Sequence, residues 1–308
     1  MTLNIKSDNI IAQIDTKKPR LKKYLVISEQ DEKWGFIIND VGYTEITPNS
    51  TYPSTGHPGS HMFSWETGRV LNEYHFVLIT QGEGEFENKL TGKVNVNAGD
   101  GFLLFPGEWH RYRPSQKTGW TEHWVGFSGD LADSIMNNSL FKNETGIIKN
   151  CGNQLIVKQF SSLFQLISNE PFGYQRSASG ICFQLLAEIC NIQQCQNHKI
   201  QHQPSISKAI HIMNERIDNS IDFERLSKTL GMSYSKFRSD FKKHTGFAPN
   251  QYFILLKIEK AKNMLVQTKL TSKQIAFEIG FESDYYFCRL FKQKTGFTPK
   301  KFRLRNKS

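Results

Sequence analysis

Two segments near the end of the sequence place basic and hydroxyl side chains between regularly spaced Phe residues. The pattern F-x3-F-K-x2-T-G-F-x-P occurs at 237–249 and again at 287–299, 50 residues later. Two Phe residues four positions apart share one helix face, so we expect each pair in a core and the other faces exposed. On exposed faces Arg can bind guanine bidentately, Ser and Tyr can contact bases or phosphates, and Lys can neutralise phosphates.

The side chains outside the Phe pairs are therefore candidate DNA contacts, and they differ between the two copies. They are Ser235, Lys236, Arg238, Ser239 and Lys242 in the first copy, and Tyr285, Tyr286, Arg289 and Lys292 in the second. Lys242 and Lys292 directly follow a core Phe, which favours contact with the DNA backbone over base reading. Because the core residues are shared and the exposed ones differ, the copies are predicted to read two different half-sites.

The charge distribution also indicates double-stranded DNA as a partner of this part of the chain. The 308 residues carry 39 Lys and Arg against 29 Asp and Glu, a net charge of +10. Residues 204–308 hold 21 of the basic and 9 of the acidic residues, a net +12, so the rest of the chain is slightly acidic. Such a basic excess supplies the salt-dependent part of DNA affinity. A generic basic surface is the alternative that charge alone leaves open.

The repeat predicts an all-helical domain that contains two helix-turn-helix motifs. A repeat at this period is typical of one supersecondary module built twice, and each copy has a turn glycine, Gly231 or Gly280, before its basic helix. Periodicity and capping residues predict seven helices, at 207–216, 223–230, 235–244, 250–267, 272–279, 283–294 and 299–304. The fourth helix connects the two basic helices and would be about 27 Å long. Basic helices held a little further apart than this length could enter successive major grooves, which are about 34 Å apart. Thr-Gly-Phe-x-Pro is predicted to end one helix, bury its Phe and start the next.

The rest of the chain favours strands followed by helices. Short apolar runs separated by Gly, Pro and Asn predict an antiparallel sandwich or small barrel; they lie at 24–27, 34–38, 75–80 and 101–105. Periodicity at 155–167 and 181–192 predicts two amphipathic helices. We therefore predict a two-domain α+β chain, with an arm at 1–22, a β-barrel domain with flanking helices at 23–192, a linker at 193–204 and the helical domain at 205–308.

The two amphipathic helices have two possible roles. They either cap the barrel or form the seam of a homodimer. An apolar helix pair beside a DNA-binding domain favours the seam, so a homodimer is predicted.

The last ~100 residues resemble the DNA-binding domain of the AraC/XylS family of bacterial transcription regulators. The second copy, IAFEIGFESDYYFCRLFKQKTGFTPKKFR at 275–303, is close to the family's signature, and the first copy is looser. The resemblance implies that the base-facing residues are Ser235, Arg238, Ser239, Tyr285, Tyr286 and Arg289. It also implies activation of transcription rather than repression, with RNA polymerase as a partner.

The β region resembles the cupin barrel, and in particular the cupin-type sugar-sensing domain of the same family. The segments that carry this resemblance are PGEWHRYRP at 106–114 and TGWTEHWVGFSG at 118–129. It implies a small-molecule effector, a sugar or sugar derivative, bound by Arg69, Tyr112, Glu122 and Trp124. Arg and Glu can hydrogen-bond sugar hydroxyls while Trp stacks on an apolar sugar face. The alternative is that Tyr112, Trp120 and Trp124 are core or rim aromatics.

Metal binding and catalysis are not expected. His110 stands where a cupin metal ligand could stand, but the preceding strand offers only His75, and His57 and His61 lie in a Pro/Gly-rich loop. A facial triad needs three converging ligands, so no metal or other cofactor is predicted. No nucleophile–base set or phosphate-binding loop is recognisable either. A metal-dependent cupin enzyme joined to a DNA-binding domain, and a ligand-independent DNA-binding regulator, remain as alternatives.

The chain is expected to stay in the cytoplasm. The N-terminus lacks an apolar signal core, and no run of ~18 apolar residues predicts a membrane span. Its five Cys are an odd number without metal-finger spacing, which favours free thiols in a reducing compartment.

Overall fold

The computed structural model describes residues 20–53, 59–138, 141, 146–198 and 204–306. The chain divides into two compact units, Met1–Lys199 and Ile200–Ser308. Most of the arm predicted at 1–22 lies outside the described residues, and its last three residues belong to the first strand. His57 also lies outside them.

The first unit is an antiparallel β domain whose long central strand belongs to two sheets. Its strands are β1 (Arg20–Tyr24), β2 (Ile37–Ile46), β3 (Arg69–Val70), β4 (Tyr74–Asn88), β5 (Gly92–Asn97), β6 (Gly101–Leu104), β7 (Trp109–Pro114), β8 (Trp120–Ser128) and β9 (Ile147–Ile148). The main path runs β1-β2-β8-β4-β6-β9, while β5 and β7 pair with β4, and β3 pairs with β7. The strand β4 has a register shift between Ile79 and Gln81 and passes from one sheet to the other after Gly82.

An aromatic and aliphatic core fills the interior of this β domain. Its buried members include Ile79, Phe86, Val96, Phe102 and Trp120, each no more than 2% exposed. Inward-facing residues alternate along the strands, as in β7, whose residues are alternately buried and half-buried. The predicted two-domain α+β architecture, with an antiparallel β domain first and a helical domain second, is confirmed.

Two strand predictions near the start are wrong in part. Only Tyr24 of the run 24–27 belongs to a strand, and Trp34 is the last residue of a helix, α1 (Glu29–Trp34), that was not predicted. The Ser28 hydroxyl accepts from the Asp31 N–H while the Asp31 carboxylate accepts from the Ser28 N–H, which is a capping box. Gly35 ends the helix at φ +78°. These local hydrogen bonds outweigh the strand preference of the apolar neighbours.

The two predicted amphipathic helices are present and cover the β domain. They are α3 (Gln154–Asn169) and α4 (Tyr174–His198); a shorter helix, α2 (Asp130–Met136), precedes them. Their apolar stripes, including Phe160, Leu163 and Leu185, are fully buried in a core shared with the sheet. The structure therefore supports the barrel-capping role for these buried side chains, whereas Leu155 of the predicted stripe is 54% exposed. The dimer seam and the homodimer stay predictions.

The linker is shorter than the sequence indicated. The helix α4 continues to His198, so the first six residues of the segment 193–204 are helical. The next helix begins at Pro204. The side chain of Gln193 is 4% exposed, which shows how a polar run can extend a helix when its inner face is covered.

The second unit contains the seven predicted helices, each with bounds close to the predicted ones. They are α5 (Pro204–Glu215), α6 (Phe223–Thr229), α7 (Tyr234–Thr245), α8 (Pro249–Gln267), α9 (Ser272–Glu278), α10 (Asp284–Thr295) and α11 (Pro299–Arg305). The predicted caps are formed: Asp222 and Ser233 accept from backbone N–H groups, and Thr271 forms a capping box with Gln274.

Each helix-turn-helix motif has a core of its own, and α8 contributes to both. The first core contains Phe237, Phe241 and Phe253, and the second contains Phe287 and Phe291 with the later part of α8. The predicted Phe pairs are fully buried in both copies.

One prediction for the Thr-Gly-Phe-x-Pro segments is wrong. Phe247 is 45% exposed and Phe297 only half-buried, whereas Pro249 and Pro299 are buried. The Pro residue rather than the Phe therefore anchors each segment in the core. Within the described part of the chain, no helix is long and apolar enough to cross a membrane.

Candidate functional sites

A small cavity in the β domain collects side chains from several distant parts of the chain. Its lining consists of Tyr24, Tyr52, Pro53, His61, Phe63, Arg69, His75, Val77, Tyr112, Glu122 and Trp124. The strand β8 pairs with β2 on one side and β4 on the other, so its inward residues Glu122 and Trp124 face this cavity. All four residues that the cupin resemblance implied, Arg69, Tyr112, Glu122 and Trp124, line it.

Arg69 lies at the centre of a hydrogen-bonded group in this cavity. Its Nε donates to His110 Nε2 at 3.2 Å and its Nη1 to the His61 carbonyl at 2.6 Å, and its Nη2 donates to the Tyr112 hydroxyl. The guanidinium also lies over the Phe63 ring, 4.8 Å from its centroid. These contacts fix a charged donor in a wall of aromatic and polar side chains, where its hydrogen bonds are stronger than in water.

Glu122 is a buried acid that titrates close to neutral pH. Its residue is 4% exposed, and the Tyr52 hydroxyl donates to its Oε2 at 2.9 Å. Burial raises the pKa of Glu122 to about 7, although the Tyr52 hydrogen bond and the charge of Arg69 act in the opposite direction. Near neutral pH the group can therefore accept hydrogen bonds as a carboxylate or donate one as an acid.

The two aromatic candidates line the cavity and also belong to the buried core of the β domain. Trp124 donates its Nε1–H to Asp40 Oδ1 at 2.7 Å, so its indole is fixed in orientation. A Cβ on Gly42 would come 2.0 Å from the Trp124 ring, so only glycine lets β2 pass this closely. Burial raises the pKa of Tyr112 to about 12, which keeps its hydroxyl protonated. Trp120 belongs to the same core, is 2% exposed and is not part of the cavity lining.

The cavity is too small for a sugar as it stands. Its free volume is about 20 Å³, enough for about one water molecule. A second cavity of about 180 Å³ shares Tyr52, Phe63 and Tyr112 with it. Movement of Tyr52 and Phe63 would join the two cavities, so a larger ligand requires these two side chains to rearrange.

His110 is not available as a metal ligand. Its Nε2 accepts from Arg69 and its Nδ1 donates to the Glu108 carbonyl at 3.0 Å. Burial, assisted by the charge of Arg69, lowers the pKa of His110 to about 3, which keeps the ring neutral. The pair His75 and His110, which a metal-dependent enzyme would have required, therefore cannot supply two ligands.

The basic helix of the first motif presents all five of its predicted DNA contacts to solvent. Phe237 and Phe241 face the core, and the exposed side chains include Ser235, Lys236, Arg238, Ser239 and Lys242. Lys236 Nζ forms an ion pair with Asp240 at 2.7 Å. This pairing makes Lys236 a weaker candidate for phosphate contact than Lys242.

The basic helix of the second motif also exposes its predicted contacts. Tyr285 is 76% and Tyr286 41% exposed, and Arg289 and Lys292 are exposed as well. The Arg289 guanidinium lies 5.7 Å from the centroid of the Tyr286 ring. A cation–π contact of this kind orients the guanidinium.

Two models of known protein families match this chain, one in each of its two units. An AraC-like ligand binding domain matches residues 48–186, which include most of the cavity, and a helix-turn-helix domain matches residues 226–305, which include both basic helices. The chain belongs to the AraC family of transcription regulators.

Several relatives of this AraC family chain control operons. It is 26% identical to the Msm operon regulatory protein of Streptococcus mutans, over 85% of this chain and 96% of the relative. It is 27% identical to the lactose operon transcription activator of Staphylococcus xylosus, over 70% and 77% of the two chains. It is 26% identical to the arabinose operon regulatory protein of Escherichia coli, over 77% and 80%. These relatives are regulatory proteins and not enzymes.

Sequence reasoning missed several residues of the ligand-binding domain in this AraC family chain. Tyr24, Tyr52 and Phe63 line the cavity, yet they lie in segments without a recognisable motif. Tyr52 contacts Glu122 across 70 positions in the sequence. Only the strand register brings such pairs together, so no local pattern could have identified them.

Proposed function

We propose that this AraC family regulator activates transcription of an operon in response to a carbohydrate that binds the cavity of its β domain. The observation that carries the proposal is the buried group of Arg69, Tyr112 and Glu122, which offers charged and neutral hydrogen-bonding groups beside aromatic rings. Sugars present hydroxyls and apolar ring faces, and such a wall matches both. The control of lactose and arabinose operons by relatives supports the same ligand class.

The helical domain would bind double-stranded DNA through both basic helices. Ser235, Arg238 and Ser239 would read one half-site, and Tyr285, Tyr286 and Arg289 the other, with lysines on the phosphates. Activation implies contact with RNA polymerase, and action as a homodimer is part of the proposal. The activating role of the Staphylococcus xylosus relative supports this direction of control.

The proposal is tested by ligand binding to the purified protein. A panel of mono- and disaccharides is screened by thermal denaturation, and a sugar that raises the melting temperature is then followed by calorimetry and by binding to operator DNA. Arg69→Gln should lose the response to that sugar because the charged donor is removed from the cavity. The matched control is Arg111→Gln, on neighbouring β7, where Arg111 pairs with Glu87 outside the cavity lining.

The outcomes separate the proposal from the ligand-independent alternative. A sugar that shifts the melting temperature and changes operator affinity in wild type and in Arg111→Gln, but not in Arg69→Gln, supports it. By linkage the operator must then change sugar affinity by the same factor. Operator binding that no sugar in the panel alters would favour the ligand-independent regulator.

A further inference from the structure

Four possible metal ligands from three segments of the chain converge beside the cavity. Asp40 lies on β2, Glu73 just before β4, His75 on β4, and His61 in a 3-10 turn at Gly59–His61. One ligand atom from each lies within 4.8 Å of the other three. Glu73 and His75 are two residues apart in the sequence, but only the fold brings Asp40 and His61 to them.

Four of the six distances between these atoms lie near the value expected for a tetrahedral site. Asp40 Oδ2 lies 3.1 Å from His75 Nε2 and 3.9 Å from His61 Nε2. Glu73 Oε1 lies 2.9 Å from His61 Nε2 and 3.9 Å from His75 Nε2. Tetrahedral zinc with ligands at about 2.0–2.1 Å separates its ligand atoms by about 3.3–3.4 Å. The four separations lie on both sides of that value, so small side-chain movements would complete the site.

The surroundings hold the first ligand in place and leave room at its oxygen. Trp124 donates to Asp40 Oδ1, which leaves Oδ2 turned toward the two His rings. A Cβ at position 126 would come 2.2 Å from Asp40 Oδ2 and 2.7 Å from His75 Nε2, so Gly126 is needed for these two atoms to meet. Such outer contacts orient ligands in metal sites.

The charge of the group also suits a divalent cation. Two carboxylates meet two imidazoles here, and Asp40 and His75 are buried while His61 and Glu73 are half-buried. Imidazole and carboxylate together are ligands that zinc accepts.

We infer that Asp40, His61, Glu73 and His75 form a binding site for a divalent transition metal of the zinc type. The metal would join the 59–61 turn to β2 and β4. His61 and His75 also line the cavity, and Arg69 donates to the His61 carbonyl. A bound metal would therefore fix one wall of the effector cavity, a role that holds whatever the effector is.

The experiment uses the full-length, untagged protein after treatment with a chelator and buffer exchange. Zinc is titrated in by calorimetry, and cobalt(II) is titrated as a spectroscopic probe, because four-coordinate cobalt absorbs strongly in the visible range. We expect one equivalent per chain and a rise in melting temperature of about 5–10 °C at about 100-fold excess over the dissociation constant.

Two ligand variants and a control make the test specific. His61→Gln and Glu73→Gln affect half-buried positions, and each should weaken binding by more than the roughly 10–100-fold that loss of an outer-shell contact costs. His211→Gln is the control, because His211 is an exposed histidine in the helical domain, paired with Glu215. Circular dichroism and the metal-free melting temperature show whether each variant folds.

The alternative is that each histidine Nε2–H donates a hydrogen bond to a carboxylate, His61 to Glu73 and His75 to Asp40, which needs no metal. In that case zinc gives no stoichiometric heat and cobalt no four-coordinate spectrum, and the inference is overturned. Equal metal affinity in wild type, His61→Gln and Glu73→Gln would overturn it too, as would loss of binding in His211→Gln alone. Since sugar binding is measured separately, failure of the metal site leaves the proposed effector response untouched.

Discussion

Glu122 has a carboxyl group whose ionisation depends on its burial beside Tyr52. In the folded protein its pKa is about 7, against 4.5 for an ordinary Glu. Between these values the unfolded chain loses its proton while the folded chain keeps it. Stability from this group therefore falls as pH rises from about 4.5 to about 7 and is constant above. A protonated Glu122 would also present a donor to a ligand, so effector affinity is expected to change over the same range.

Glu122→Gln should abolish this pH dependence, because the amide keeps an acceptor for Tyr52 but cannot ionise. The difference in free energy of unfolding, variant minus wild type, should increase by up to about 3 kcal/mol as the pH is raised from about 4.5 to about 8. Urea denaturation followed by Trp fluorescence at both pH values measures the difference. Glu45→Gln, an exposed position on β2, is the control and should show no such rise. If the stability difference between Glu122→Gln and wild type did not change with pH, the pKa of Glu122 would not be raised in the folded protein.

Arg289 and Lys292 lie on one exposed helix but should act differently on DNA. Arg289→Ala should cost about 1–3 kcal/mol on the preferred site and relax base choice in one half-site, since Arg can bind guanine specifically. Lys292→Ala should weaken all sequences alike and lower the salt dependence by about one unit. Selection from a randomised operator library and salt titration measure the two effects. An unchanged base preference in Arg289→Ala would show that Arg289 does not read bases.

The helices of the second unit were predictable because their signals are local. Asp222, Ser233 and Thr271 accept backbone hydrogen bonds within three residues, and Phe spacing fixes which face is buried. For the β domain, the sequence predicted the fold class but not which side chains meet. The contact of Asp40 with His75, and that of Tyr52 with Glu122, depend on strand register and on segments that carry no pattern. The missed helix α1 had a local signal, the Ser28 and Asp31 cap.

The turn glycines of the two motifs offer a matched comparison at the scale of one element. Gly231 and Gly280 both have φ near +70°, so Ala is strained at either position by about 1 kcal/mol. A Cβ on Gly231 would meet nothing within 4 Å, whereas on Gly280 it would come 2.2 Å from the Asp218 carbonyl oxygen. Gly280→Ala should therefore destabilise the protein by more than Gly231→Ala, by about 1–3 kcal/mol. Thermal and urea denaturation measure the stability of the two variants. Equal losses of stability would show that the chain near the Asp218 carbonyl can move to make room for a Cβ at position 280.

The two motifs of the helical domain are joined through a buried lysine. Lys257, on α8, is 5% exposed and donates to the Gly280 carbonyl at 2.9 Å. Its ammonium also lies 4.9 Å from the ring centroid of Phe253, in the first core, and 5.3 Å from that of Phe281, in the second. Burial lowers the pKa of Lys257, partly offset by Asp218. The ammonium therefore contacts both cores, which would hold the two motifs at the fixed separation that the proposed reading of two half-sites requires.

Lys257→Met should loosen this junction while leaving both reading helices intact. The Gly280 carbonyl would lose its partner, at a cost of about 1–3 kcal/mol, and the two motifs would no longer be held at one separation. Affinity for an operator with both half-sites should then fall by more than affinity for either half-site alone, and the variant should tolerate changes in half-site spacing that wild type rejects. Titrations with full, single and respaced sites measure this, with Lys262→Met as the control, since Lys262 is paired with Glu259 on the same helix. An equal loss on all of these DNAs would mean that Lys257 acts through general stability or charge, and that the spacing of the two motifs is set by the packing of α8 alone.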